Sequence, residues 1–326
     1  MSLGIALLGT GSIAAHAFAP AVQATDGAQL VAVLSRDQRR GAAFAQRHAI
    51  PAVYDDLASL LRSPQVDAVI VATPDATHEP QVIAAAQAGK HILCEKPMTT
   101  TVAGCQRMAE VIRASGMTFA MGYTWRFNAG ARTIKALLEA GAIGPVRYAR
   151  GFLSTQAQDP AGWRAQQAEA RYWALSGVGT HLIDLWRWYF GEPASVGGGL
   201  LSPVHHSVND ELAALVLLYP DRLLAELAVT AVFQGANRVE LYGEAGAIIG
   251  EGLSGARPEG RITHNGQPVP FQPVNPFLGE VTDFVEAIQQ HRPPCATLED
   301  GLRNVAIMEA AREGPMQIAL AARGAW

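Results

Sequence analysis

The sequence predicts an α/β fold: a doubly wound parallel sheet over residues 1–122, then an α+β domain with an open, mainly antiparallel sheet over 123–326. Three observations carry this. Short apolar runs alternate with helix-like stretches through the first third. The first run leads directly into a glycine-rich hexapeptide, Gly9-Thr10-Gly11-Ser12-Ile13-Ala14. Beyond Tyr123 the runs come closer together and are separated by turn residues.

Taken in order, residues 3–8 are uniformly apolar, as in a strand buried on both faces. An Ala-rich stretch to Thr25 is the helix after it. Residues 29–34 are a second strand, 41–48 and 56–61 are helical, and 66–72 form a third buried strand. Residues 80–88 are helical, with Gly89 where a helix stops. A strand at 91–94, a helix at 101–114 and a strand at 118–121 complete the alternation. Right-handed crossovers then make a doubly wound sheet the simplest topology. In the second domain, 129–140 is a helix and 146–155 a long strand. A helix begins near Ser176, and strands follow at 196–201, 211–219, 223–230, 238–242 and 247–251. Pro220-Asp221 is a hairpin signal between two of these. Residues 254–276 are rich in Gly and Pro and are expected to loop. Helices to Gln290 and over 298–311, the latter with Asp300 near its start, close the chain and are expected to pack back on the first domain.

Composition excludes several functions. With 49% hydrophobic residues and a formal charge of −4, the chain is neither disordered nor a polyanion binder, so no nucleic-acid partner is expected. Its apolar runs are strand-length, far short of the roughly 20 residues that span a bilayer. No basic leader precedes the first run, and three cysteines, Cys94, Cys105 and Cys295, are too few for a disulfide framework. These features point to a cytoplasmic protein with reduced thiols and no membrane partner. His205-His206 near Asn209, Asp210 and Glu211 has no metal-ligand spacing. It reads as an exposed loop, so no metal site is expected.

The hexapeptide carries chemistry because it follows a strand and opens a helix. Gly9 makes the tight turn, Gly11 lets a pyrophosphate approach the backbone, and Ala14 permits close packing. The helix N-terminus offers amides to the phosphates, so the first domain reads as Rossmann-type. The second strand ends in Ser35-Arg36 rather than Asp or Glu, and Asp26 lies at its wrong end. A hydroxyl beside a guanidinium suits a 2′-phosphate, which favours NADP over NAD, although Asp37 stands close enough to serve a ribose.

At this point the chain resembles the Gfo/Idh/MocA oxidoreductases. The resemblance rests on the glycine loop, on Ala72-Thr73-Pro74-Asp75-Ala76-Thr77-His78, and on Ala88-Gly89-Lys90-His91-Ile92-Leu93-Cys94-Glu95-Lys96-Pro97. Trp163-Arg164 and Gly179-Thr180-His181-Leu182-Ile183-Asp184 complete the set. It implies an NAD(P)-dependent enzyme moving hydride to or from a hydroxyl or keto carbon of a sugar, polyol or related small molecule. It also implies a homodimer or homotetramer built through the second domain's sheet, and a cis-proline turn at Pro97. Lys96 is implied as the catalytic group, and His181 as a histidine that hydrogen-bonds the reacting hydroxyl and serves as relay or alternative base. Ala72, Thr73, Pro74, His78, Glu95, Lys96, Trp163 and Arg164 are implied as cofactor contacts, with Phe277 near the nicotinamide. A lysine partly desolvated beside a cationic ring has its ammonium disfavoured, which suits it to exchange a proton with the reacting oxygen.

Helical spacing places His181 and Asp184 on one face, so Asp184 is a candidate to orient the imidazole or bind a substrate hydroxyl. Arg171 and Tyr123 are further substrate candidates. One departure stands out: Gly177 occupies the place of an Asp that relatives often carry four residues before the His, and the bulky Arg171-Tyr172-Trp173 replaces small residues. Two alternatives stay in play, the first favoured by that departure and the second by the range of the family the chain resembles. One is a catalytically silent, cofactor-binding sensor; the other is a reductase of non-sugar carbonyls or diols.

Overall fold

The computed structural model describes residues 2–155, 159–254 and 260–314. Six strands form the first sheet: β1 (Leu3–Leu8), β2 (Ala28–Leu34), β3 (Ala52–Tyr54), β4 (Ala68–Val71), β5 (His91–Glu95) and β6 (Phe119–Gly122). All pairs are parallel, in the order β3-β2-β1-β4-β5-β6. β1, β4 and β5 lie at the centre and are almost wholly buried, which explains their unbroken apolar sequences. β3 was not expected; this edge strand of three residues has no buried position and leaves no periodic signal. The strand order reverses between β1 and β4, so a crevice opens at their C-terminal ends, where an open α/β sheet binds ligands.

The second sheet has eight strands: β7 (Val146–Ser154), β8 (Ser195–Leu201), β9 (Leu212–Leu218), β10 (Leu224–Thr230), β11 (Arg238–Gly243), β12 (Gly246–Glu251), β13 (Arg261–His264) and β14 (Gln267–Val269). Their order is β14-β13-β12-β11-β7-β10-β9-β8, antiparallel except for the β7–β10 pair. The last hairpin corrects the loop expected over 254–276, of which 255–259 lie outside the described residues. Asn265 and Gly266, both at positive φ, form the two-residue turn between β13 and β14. Asn-Gly is the usual sequence for such a hairpin, a signal lost among the surrounding Gly and Pro.

The helix Thr180–Phe190 packs Leu182 and Trp186 onto one face of this sheet, where Gly151 leaves them room. Along β9 and β10 burial alternates, so Ala214, Leu218 and Leu224 look away from that core. Two late helices tie the halves together. Pro276–Gln290 puts Phe277, Val281, Phe284 and Val285 into the first domain's core, with Phe277 edge-on to Phe18 at 5.6 Å. Leu298–Glu313 contributes Val305 to the first domain and Ile307, Met308 and Ala311 to the second.

Candidate active site

The crevice is a cleft of about 860 Å³. At one end it is lined by Thr10, Gly11, Ser12 and Ile13, on the loop that leaves β1. Gly9 has φ +108°, and a Cβ there would lie 2.7 Å from the Ala72 carbonyl oxygen, so the β1 and β4 loops touch only because this residue has no side chain. A Cβ on Gly11 would meet nothing within 4 Å, leaving the backbone open to approach. The Thr10 hydroxyl is buried without a hydrogen-bond partner among the described residues. An exposed loop backbone, an unpaired donor and the start of the helix at Ala14 together fit a dinucleotide pyrophosphate.

Leu34, Ser35 and Arg36, at the end of β2, line the same cleft, as does Arg40 one turn into the next helix. The Ser35 hydroxyl donates to the Asp37 carbonyl at 2.8 Å. Asp37 itself caps the helix Gln38–Arg47, its Oδ1 accepting from the Arg40 amide at 3.0 Å, and it is not among the cleft-lining residues. Ala72, Thr73 and Pro74 form the opposite wall. His78 does not reach the cleft: it is fully buried, with Nδ1 2.9 Å from the Pro97 carbonyl and Nε2 2.9 Å from that of Thr73. It therefore joins the loops after β4 and β5 rather than contacting a cofactor, which corrects its expected role.

The inner end narrows to a recess of about 200 Å³ lined by Asp75, Glu95, Lys96, Arg164, His181 and Phe277, among others. Lys96 follows β5 directly, and its peptide to Pro97 is cis. Its Nζ donates to the Gly177 carbonyl at 2.7 Å and lies 3.4 Å from that of Ser176. Burial lowers the Lys96 pKa, and Arg164 adds to this, while Glu95 opposes it. Burial also holds Glu95 towards its neutral form, although its carboxylate accepts the Lys96 amide at 3.0 Å. His181 packs against Trp125, ring centroids 6.2 Å apart, and its Nδ1 is buried without a partner among the described residues. Burial, then the Lys96 and Arg164 charges, hold its ring well below the usual imidazole range, which favours the neutral form. Arg164 reaches from the second domain to Asp75 at 2.9 Å and stacks its guanidinium 4.4 Å from the Trp163 ring centre.

Three expected substrate residues lie elsewhere. Asp184 is 1% exposed, and the fork of Arg126 occupies both its oxygens at 2.7 and 3.0 Å; Arg126 continues to Asp300 and the Cys295 carbonyl. Asp184 thus holds the second domain to the linker after β6. Arg171 pairs with Glu309 on the last helix at 3.2 Å. Tyr123 is fully buried in the first domain's core. None of the three lines either space. Thr124, Trp125 and Asn128 do so instead. They sit just past β6, at the change of pattern that marked the domain junction, but spacing alone gives them no chemical signature.

Fold and site together define an NAD(P)-binding oxidoreductase: a doubly wound sheet with its glycine loop at the switch point, and a lysine and a histidine at the inner end of the same cleft. Residues 3–123 match the model of the GFO/IDH/MocA oxidoreductase family, NAD-binding Rossmann fold, and residues 131–249 match that family's C-terminal domain. The chain belongs to this family. It is 28% identical to a 1,5-anhydro-D-fructose reductase of Ensifer adhaerens, over 94% of this chain and 96% of the relative. It is 33% identical to an inositol 2-dehydrogenase of Acidothermus cellulolyticus, over 76% and 72%. Among solved structures, an aldose-aldose oxidoreductase from Caulobacter crescentus superposes with a TM-score of 0.89 at 28% identity, covering 97% of this chain and 99% of that one.

Proposed function

We propose that this enzyme interconverts a carbinol and a ketone, or a hemiacetal and a lactone, on a sugar or polyol, using NADP in preference to NAD. The observation that carries the reading is the placing of Lys96 Nζ and His181 at the inner end of the cleft that begins at the glycine loop. The named relatives that act on anhydrofructose and inositol support the substrate class. When bound, the nicotinamide supplies or accepts the hydride. Lys96 takes the hydroxyl proton during oxidation and returns it during reduction, and its lowered pKa suits it to both. The Gly177 carbonyl steadies the ammonium, and His181, held towards its neutral form, hydrogen-bonds the reacting oxygen. Arg164 and Trp163 cover this end, anchored by Asp75.

The NADP preference rests on Ser35, Arg36 and Arg40 at the end of β2, where Asp37 is committed to a helix cap. The outward residues of β9 and β10, with Leu218 47% and Leu224 36% exposed, support pairing of two copies through the sheet. Turnover of sugars, polyols and their keto forms, followed at the reduced-nicotinamide absorbance with NADPH and NADH, tests the reading. Oxidation or reduction of any member with the NADP couple is the expected result. Tight cofactor binding without turnover of any member would overturn it in favour of a sensor.

A further inference from the structure

Asn209, Asp210 and Glu211 precede β9; the first two were expected in an exposed loop and Glu211 at the start of a strand, yet they are 2%, 5% and 0% exposed. Each grips a different segment. Asn209 donates to the carbonyls of Arg164 and Gln167 at 2.7 and 2.8 Å, holding the arm that crosses the cleft. Glu211 accepts from the amides of Val204, His205 and Ser207. Asp210 holds the turn that enters the catalytic helix. Its Oδ1 accepts from the Trp173 amide and its Oδ2 from that of Leu175, both at 2.8 Å, while its own carbonyl accepts from the Ala174 amide at 2.9 Å.

We propose that Asp210 is a positioning residue for the reaction: by fixing residues 173–175 it sets the Gly177 carbonyl, and His181 one turn later, against Lys96. The inference rests on the reading that Lys96 handles the proton. A carboxylate suits this place because both its oxygens only accept, and because the amides it meets open a helix whose dipole favours negative charge. A carboxylic acid there would turn one oxygen into a donor facing an amide. Burial pushes the Asp210 carboxyl up to about 7, against the pull of the two amides and of Arg312, the charged group that faces it from the last helix. The clamp therefore loosens as pH falls through that value.

Asp210→Asn keeps the shape but presents an amide donor to one of the two N–H groups. Its kcat should fall roughly ten- to a hundredfold, the usual effect of a small misplacement of catalytic groups. NADPH affinity, measured by tryptophan fluorescence, should stay within about twofold of wild type, and the acid limb of kcat near pH 7 should disappear. Wild-type kcat across the whole pH range, or an equal loss of NADPH binding, would overturn the proposal. Lys96→Met, run in parallel, separates the two claims: retained turnover there removes Lys96 from the mechanism whatever Asp210 does. Should Asp210→Asn not fold, exchange of the Trp173 and Leu175 amides in the wild-type protein decides. Protection, corrected for intrinsic rates, should drop below pH 7, and unchanged protection would overturn the clamp.

Discussion

The two ends of the cleft are built in different ways. The nucleotide end is local: β1, the loop Gly9–Ala14 and the helix after it are consecutive in sequence, and Ser35 and Arg36 follow the next strand. The reacting end is assembled from afar: Lys96 is held by a carbonyl 81 residues away, and Asp75 by a guanidinium 89 residues away. A local device tolerates drift in the rest of the fold, because its geometry is written into one turn. A distributed one depends on every helix that sets the distance between its parts, so its supports matter as much as its reactive groups.

The largest expected effect tests the distributed end at its centre. Lys96→Met should lower kcat on the order of a thousandfold while leaving NADPH affinity near wild type, because general acid–base groups contribute at that scale. Comparable loss of binding would mean that the two ends are not separable.

Next comes the support. Asp184→Ala leaves the Arg126 guanidinium, itself 5% exposed, with only Asp300 and the Cys295 carbonyl, and should cost about 1.5–3 kcal/mol in chemical denaturation. A normal stability with a raised KM would instead return Asp184 to the substrate site and redraw the reacting end.

At the nucleotide end the effect is smaller and selective. Arg36→Ala should weaken NADPH roughly tenfold or more, the contribution of a charge-assisted hydrogen bond, and leave NADH nearly unchanged. Equal losses for both would show that Arg36 does not read the 2′-phosphate.

The smallest effect concerns the helix joining the two ends. Both Glu280 carboxyl oxygens are buried without a partner among the described residues, and burial pushes the group well above its ordinary 4.5. The folded state then binds more protons than the unfolded one above that value, so stability falls as pH rises from it. Glu280→Gln should raise Tm modestly in mild alkali, and the gain should vanish in acid below the ordinary carboxylate value. A pH-independent difference would place another group near Glu280 as its partner.

Legibility in the sequence follows the same division. The strand–glycine–helix signature pointed to residues of the glycine loop and of the end of β2 that line the cleft, since their placing is a property of backbone turn and neighbouring strand. Lys96 and His181 were legible through motif resemblance, and the structure brings them into one recess. Asp184 was misread because helical spacing gives a face but not what that face meets; Arg126, 58 residues earlier, takes its carboxylate. Asp210 looked like a solvated loop residue because nothing in the sequence near it shows that residues 173–175 pack above it.

Order along the chain was therefore enough for the alternation of strands and helices, the position of the glycine loop and the residues at the end of β2. These depend on periodicity and on φ/ψ preferences within a few residues. Long-range packing settled which charges are paired and buried, which carbonyl steadies Lys96, and which side chains face the cleft. Those outcomes depend on desolvation and on distances between segments far apart in sequence, and a buried carboxylate that is ion-paired has the same letter as one that binds a substrate.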